Sequence, residues 1–307
     1  MGSAELSCAS LRALVDSAAT EVLGIVTQPD RPKGRHLKPT PSPVKELALQ
    51  RSLPILQPER AREPGFAEAL RGLEPELIVV AAYGQILPQE VLGLPRFGCV
   101  NVHTSLLPKY RGAAPIQWAI LNGEATTGVT IMKMDAGLDT GDILAQTATP
   151  IDVEDTSETL HDRLAELGAE LLMRTIPEYV SGDILPRPQP AEGASYAPKI
   201  KKQDGAIDWT RPAHELRNRV RALVPWPGAF THLSERGQNH LLKIWRAEEL
   251  EEAGPPGEIL GVDRTGIAVG CGRGALRITG LQLEGGRRLR AQEFLAGHPV
   301  RKGQRFL

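Results

Sequence analysis

The chain has 307 residues, enough at ~150 residues per domain for two domains that each bury a core. Hydrophobic residues make up 41% and charged residues 24%, ordinary globular usage that excludes a disordered chain, a collagen and a heptad rod. No run approaches the ~20 apolar residues of a membrane span, the first residues lack a basic-then-apolar leader, and Cys8, Cys99 and Cys271 are too scattered for a disulfide framework or a zinc site. These features lead to the expectation of a cytoplasmic protein with no membrane association and no metal.

The formal charge of −1 conceals an asymmetry. Residues 1–196 carry 17 Lys and Arg against 25 Asp and Glu, and residues 197–307 carry 19 against 12, so the two parts stand at −8 and +7. A basic C-terminal part suits a polyanion-binding appendage, and equally a solvated surface.

In chain order, residues 3–15 place Leu6, Leu11, Leu14 and Val15 on one helical face, and Val22 to Val26 reads as a buried strand. Pro43 to Gln50 follows as a helix, Leu53 to Leu56 as a strand, Phe66 to Leu73 as a helix and Leu77 to Ala82 as an apolar strand. Cys99 to His103 is the next strand, followed by a helix from Ala114 to Asn122 and strands near Val129 to Met134 and Ile143 to Thr147. Alternating strands and helices predict an α/β domain with a parallel sheet, closed by an amphipathic helix over Thr156 to Val180. The Pro186 to Pro190 stretch breaks that helix. Beyond Asp204, short apolar runs separated by glycines (Leu241–Trp245, Gly257–Leu260, Gly266–Val269, Ala275–Leu283) predict a small β-barrel with one helix over His214 to Leu223. The expected domains are therefore 1–183 and 204–307, with a linker over 184–203.

Asn101 and His103, two apart on a strand, project from one face at its C-terminal end, where open α/β sheets bind ligands. An amide and an imidazole there suit a carbonyl oxygen that gains negative charge, although a lone strand-end His is more often a structural hydrogen-bonding residue. In Asp135-Ala-Gly137-Leu-Asp139-Thr-Gly141-Asp142, glycines on both sides of Asp139 shape a loop that can aim one carboxylate. Taken alone, such an Asp is usually a turn residue. Trp209, Trp226 and Trp245 are expected in the barrel core, and Gly270 to Gly274 as a hairpin turn. His232 and His240 lack zinc spacing.

Together, Asn-Val-His-x-Ser-Leu-Leu-Pro-x-Tyr-Arg-Gly-Ala-Ala-Pro-Ile and Gly-Val-Thr-Ile-Met-x-Met-Asp-x-Gly-Leu-Asp-Thr-Gly-Asp resemble the signature of the formyltetrahydrofolate-dependent formyltransferases. The likeness extends to Thr27–Arg35, Pro41–Lys45, Val80–Gly84, Ile207–Trp209 and Pro225–Gly228. It implies a Rossmann-like domain with a mostly parallel sheet followed by a small OB-like C-terminal β-barrel, 10-formyltetrahydrofolate as co-substrate, without a metal, and formyl transfer to the α-amine of initiator methionyl-tRNA by a monomer. In this reading Asn101, His103 and Asp139 match the catalytic trio, the first two stabilising the oxyanion while Asp139 orients His103 and assists proton removal. Ser105, Leu106, Leu107 and Pro108 match the folate-binding turn; Val80, Ala81, Ala82, Tyr83 and Gly84 with Asp135 would line the pterin pocket. The loop carrying Arg31, Lys33, Arg35 and Lys38 would reach the tRNA acceptor end, and the C-terminal barrel would help hold the tRNA.

Two departures accompany the likeness. Thr104 stands where the family commonly has Gly or Pro, and the chain starts at Met1-Gly2-Ser3, in the turn that follows the family's apolar first strand. The expectation is that the sheet lacks that strand and that Met1 is an internal methionine of a longer product. The alternatives are a formyltransferase or formyltetrahydrofolate hydrolase acting on a small molecule, and an inactive RNA-binding module.

Overall fold

In the computed structural model, which describes residues 1–33, 38–235 and 237–307, the chain forms two units. The first comprises Met1–Pro115, Thr126–Pro150 and His161–Pro198; the second comprises Ile116–Ala125, Ile151–Leu160 and Lys199–Leu307.

In chain order the first elements are α1 (Leu6–Asp16), β1 (Ile25–Val26), β2 (Arg31–Lys33) and β3 (Lys38–Thr40). The apolar run from Val22 yields only a two-residue strand, because Leu23 is exposed and pairing with the next strand starts at Ile25. After these comes α2 (Pro43–Gln50), where the Ser42 hydroxyl accepts from Lys45 N at 3.1 Å and Pro43 occupies the first helical position. Next are β4 (Ile55–Leu56), α3 (Phe66–Arg71), β5 (Ile78–Val80), α4 (Gln89–Leu92), β6 (Cys99–His103), β7 (Arg111–Gly112) and α5 (Pro115–Leu121). The strands β8 (Thr126–Lys133) and β9 (Ile143–Pro150), the 25-residue helix α6 (Ser157–Ser181) and β10 (Tyr196–Ala197) complete this part of the chain.

Parallel pairing joins β1 to β4 and β5 to β6, whereas β8 lies antiparallel to both β6 and β9. Alternation of elements suggested parallel strands here, but the short loop over 134–142 contains no crossover helix and therefore closes a hairpin. Gly168 of α6 lets the helix approach the sheet, since a Cβ there would lie 2.8 Å from Val102 Cγ1. Cys8, Cys99 and Cys271 are buried free thiols, raised by desolvation to about 11, 12 and 11.

Met1 to Ser3 lie between β1 and β5. Gly2 N donates to Val26 O at 2.9 Å, Ala81 N donates to Met1 O at 2.9 Å, and the terminal amine donates to Val79 O at 2.6 Å. On the N-terminal side of these bonds a cavity of about 640 Å³ continues between the two strands, walled by Leu11, Leu14, Leu73, Phe97, Ile176 and Val180.

The segment expected as a linker is not extended away from unit 1 as far as Pro198. Ile143 and Arg187 exchange backbone hydrogen bonds of 2.8 and 2.9 Å, Arg111 N donates to Ser195 O at 2.9 Å, and β10 pairs in parallel with β7. These bonds make residues 187–197 a strap across the loops that follow β6 and β8.

In unit 2, α7 (Ala213–Ala222) precedes β11 (Ala229–Glu235), β12 (Gln238–Leu250), β13 (Ile259–Val262), β14 (Ile267–Gly270), β15 (Ala275–Leu283), β16 (Leu289–Arg290) and α8 (Ala291–Gly297). The antiparallel order is β11-β12-β15-β14-β13, with β16 on β15. The C-terminal residues bridge the two open edges: Phe306 pairs with Leu233 and Arg305 with Glu258, so the tail curls the sheet into a barrel-like closure.

Trp209 is core, 6% exposed and stacked on Phe306 with ring centroids 6.0 Å apart. Trp226 and Trp245 are not. Trp226, in the turn before β11, is 55% exposed. Trp245 is half-buried because period-two alternation in β12 sends Leu242 and Ile244 inward and Lys243 and Trp245 to the other face. There the Arg288 guanidinium lies 3.5 Å and Lys243 Nζ 5.3 Å from the Trp245 ring.

Candidate active site

The end of β6 gathers the three residues singled out for chemistry. Register places Asn101 opposite Met132 and His103 opposite Thr130, and the loop between β8 and β9 brings Asp139 to them. Asn101 Nδ2 donates to Asp139 Oδ1 at 3.4 Å, and His103 Nδ1 lies 3.7 Å from Asp139 Oδ2. His103 is 5% exposed. Its Nε2 is 2.9 Å from Tyr110 O; a carbonyl only accepts, so Nε2 carries hydrogen and Nδ1 is the nitrogen turned to Asp139.

The Asp139 carboxylate also accepts from Gly112 N at 2.9 Å. Its backbone adopts φ +51°, the left-handed region that non-glycine residues avoid. Tyr110 (φ +62°) and Ala82 (φ +41°) share this feature, so strained backbone accumulates at the strand-end loops. Asp135, exposed, shapes the same loop: its Oδ1 accepts from Gly137 N at 3.0 Å and from Thr140 Oγ1 at 2.8 Å. Gly141 is required by space, since a Cβ would fall 1.9 Å from Lys133 O.

Ser105 to Pro108 form a turn that ends in a cis Leu107–Pro108 bond. Thr130 fixes it from β8, accepting from Leu107 N at 3.1 Å and donating to Ser105 O at 2.6 Å, while Gln146 Nε2 donates to Leu107 O at 2.9 Å. Leu107 is buried and Leu106 half-buried. Along the neighbouring strand end, Val80, Ala81 and Tyr83 are buried, whereas Ala82 and Gly84 are exposed. Ile86 (76% exposed) and Leu138 (48%) add apolar surface on the loops after β5 and β8.

Comparison with known proteins decides the family. The formyl transferase model matches residues 2–176 and the formyl transferase C-terminal domain model residues 199–299. The chain belongs to the formyl transferase family. It is 50% identical over 303 residues to the methionyl-tRNA formyltransferase of Citrifermentans bemidjiense, covering 99% of this chain and 94% of that one. The methionyl-tRNA formyltransferase of Geobacter sulfurreducens is 49% identical over 306 residues, with coverage of 100% and 95%. Among solved structures, the sugar 3N-formyl transferase WlaRD shares the fold at TM-score 0.66 and 20% identity, over 92% of this chain and 96% of its own. HypX from Aquifex aeolicus in complex with tetrahydrofolic acid does so at TM-score 0.58 and 23% identity, over 85% and 47%.

In this formyl transferase, β2 and β3 pair as two antiparallel strands whose backbone includes Arg31, Lys33 and Lys38. Arg31 lies 3.6 Å from Glu59, both exposed. Arg35 and the side chains of Lys33 and Lys38 lie outside the described residues. The base of this strand pair is anchored by Asp30, whose carboxylate receives Lys45 Nζ at 2.9 Å and Gln57 Nε2 at 3.0 Å; these bonds hold its carboxyl below the usual range.

Sequence reasoning missed Thr130, Gln146, Tyr110, Ser195 and Gln189. Thr130 and Tyr110 lie inside the family motifs, but Gln189 in the proline-rich stretch and Ser195 beyond it carry no local signal. Among the described residues no group of three or more His, Cys, Asp or Glu is placed to hold a metal, and no helix is long and apolar enough to cross a membrane.

Proposed function

We propose that the chain transfers the formyl group of 10-formyltetrahydrofolate to the α-amine of initiator methionyl-tRNA. The observation that carries this reading is the convergence of an amide, an imidazole and a carboxylate at the end of β6, with the Asp139 carboxylate 3.4 Å from Asn101 Nδ2 and 3.7 Å from His103 Nδ1. Full-length likeness to methionyl-tRNA formyltransferases supports the choice of acceptor.

Asn101 Nδ2 and a protonated His103 Nδ1 donate to the formyl oxygen as the amine nitrogen bonds to the formyl carbon and the carbonyl electron pair moves onto oxygen. Asp139 takes the proton that the amine sheds, and His103 delivers one to the folate nitrogen as its bond to the formyl carbon breaks. The short separation of Asp139 from Nδ1 then resets the pair. Ser105 to Pro108, with Val80 to Gly84 and the loop shaped by Asp135, form the folate side, where exposed backbone at Ala82 and Gly84 beside apolar Ile86 and Leu138 suits a flat heterocycle. Residues 1–183 are the catalytic part and 204–307 the part that holds tRNA through Lys243 and Arg288 about Trp245, with the basic segment of Arg31, Lys33, Arg35 and Lys38 reaching the acceptor end. Such a reaction belongs in the cytoplasm, where translation starts.

The test is transfer of labelled formyl from 10-formyltetrahydrofolate to initiator methionyl-tRNA. The wild-type chain is expected to transfer, and His103→Ala to lose at least about a hundredfold in kcat, the scale of a lost oxyanion donor or proton carrier, while still binding tRNA. A His103→Ala variant of unchanged kcat rules out the mechanism.

A further inference from the structure

Gln189 sits between Pro188 and Pro190 on the strap, and its amide uses every hydrogen-bonding position it has. Nε2 donates to Asp139 O at 2.9 Å and to Gly141 O at 2.7 Å. Oε1 accepts from Arg111 Nε at 3.0 Å and from Arg111 Nη2 at 2.7 Å. The partners fix the orientation of the amide, since carbonyls only accept and a guanidinium only donates.

The two sides of this amide lead to the two sides of the catalytic group. Asp139 and Gly141 belong to the loop whose carboxylate faces Asn101 and His103. Arg111 is followed by Gly112, whose N–H holds that same carboxylate, and preceded by Tyr110, whose carbonyl holds His103 Nε2. The strap supports the second side again through Ser195, whose hydroxyl accepts from Tyr110 N at 2.9 Å. Pro190 steers the residue before it away from the helical region and Pro188 has its own φ fixed, so the amide is presented from a stiff mount. Asp139 in turn keeps an unfavourable φ of +51°, which persists only where its surroundings over-determine it.

We propose that Gln189 is a positioning residue for formyl transfer, locking the Asp139 loop to Arg111 so that the Asp139 carboxylate stays registered on His103 and Asn101. The proposal rests on the catalytic reading given above for those three residues.

Two variants separate the halves of the lock. Gln189→Glu keeps an acceptor for Arg111 and turns oxygen toward the Asp139 and Gly141 carbonyls; Gln189→Met keeps length and removes all four bonds. Both are assayed for kcat, for KM of both substrates and for thermal unfolding, alone and in combination with Asp139→Asn. The expected result is a fall in kcat of about ten- to a hundredfold, the cost of a displacement near 1 Å, with each KM within about threefold and little further loss once Asp139 is already Asn. Losses that multiply with Asp139→Asn, a kcat within twofold of wild type, or failure of both variants to fold overturns the proposal and leaves Gln189 a structural residue. A wild-type control that transfers no formyl group, or an Asp139→Asn single variant with full activity, instead removes the catalytic reading itself.

Discussion

A single buried amine makes the stability of this chain depend on pH. The Met1 terminal amine donates to Val79 O, and desolvation lowers its pKa from 8.0 to about 6. Above pH 8 the group is neutral whether the chain is folded or not. Between pH 8 and 6 the unfolded chain binds the proton more readily, so stability falls as pH falls and the full cost is present below pH 6. About two pKa units correspond to at most roughly 2–3 kcal/mol. Urea midpoints measured at pH 6 and pH 8 should differ accordingly, and Nα-acetylation of Met1 should remove this part of the difference. The sequence could not disclose a residue effect of this kind, because it depends on which strand the amine meets 78 residues away. Asn101 and His103 were legible, since period-two geometry within one strand is local. Their distance to Asp139, 38 and 36 positions further on, was not.

Elements show the same division. Helices with strong periodicity, α2 and α6 among them, lie close to where their apolar spacing puts them, while β11 and α8 carried no clear pattern and form because the sheet beside them offers a partner. The cavity ahead of Met1 is bounded by two parallel strand edges. Ile25 and Thr27 donate to the β4 side, so alternation turns Gly24 and Val26 toward the cavity; Ile78 donates to Gly98 O on the β6 side, so Leu77 and Val79 turn there too. Met1 and Gly2 bond to both edges, which sets the gap at one strand. A chain extended ahead of Met1 by about five apolar residues is expected to continue that ladder, buried on both faces. Unit 1 should gain about 2 kcal/mol or more, roughly 5 °C in Tm, whereas an extension of Gly and Ser should gain nothing in a calorimetric scan. In unit 2 the closing tail has comparable weight. Phe306 is 3% exposed against Trp209, and Phe306→Ala is expected to cost about 3–5 kcal/mol in denaturant unfolding of that unit.

Charge is divided along the sequence, with −8 over residues 1–196 and +7 over residues 197–307. Basic groups about Trp245 repel one another: burial lowers the Lys243 pKa first, and Lys202 and Arg288 lower it further. A polyanion relieves that repulsion, so KM for tRNA should rise about tenfold or more between about 50 and 200 mM salt through counterion release, while KM for the folate substrate changes far less. Equal salt dependence of the two would remove the basic barrel from the tRNA path.

By itself the sequence determined the α/β class, the basic β-rich C-terminal part, the order of most elements and, through its motifs, the family. All of these are written in local spacing or in residue type. Tertiary structure alone decided that the strand pair β8–β9 turns antiparallel, that residues 187–197 strap the active loops and that Gln189 meets Asp139. It also decided that Trp226 and Trp245 face outward. Each of these depends on which distant backbone groups find each other once the chain is compact, and hydrophobic periodicity carries no record of that pairing.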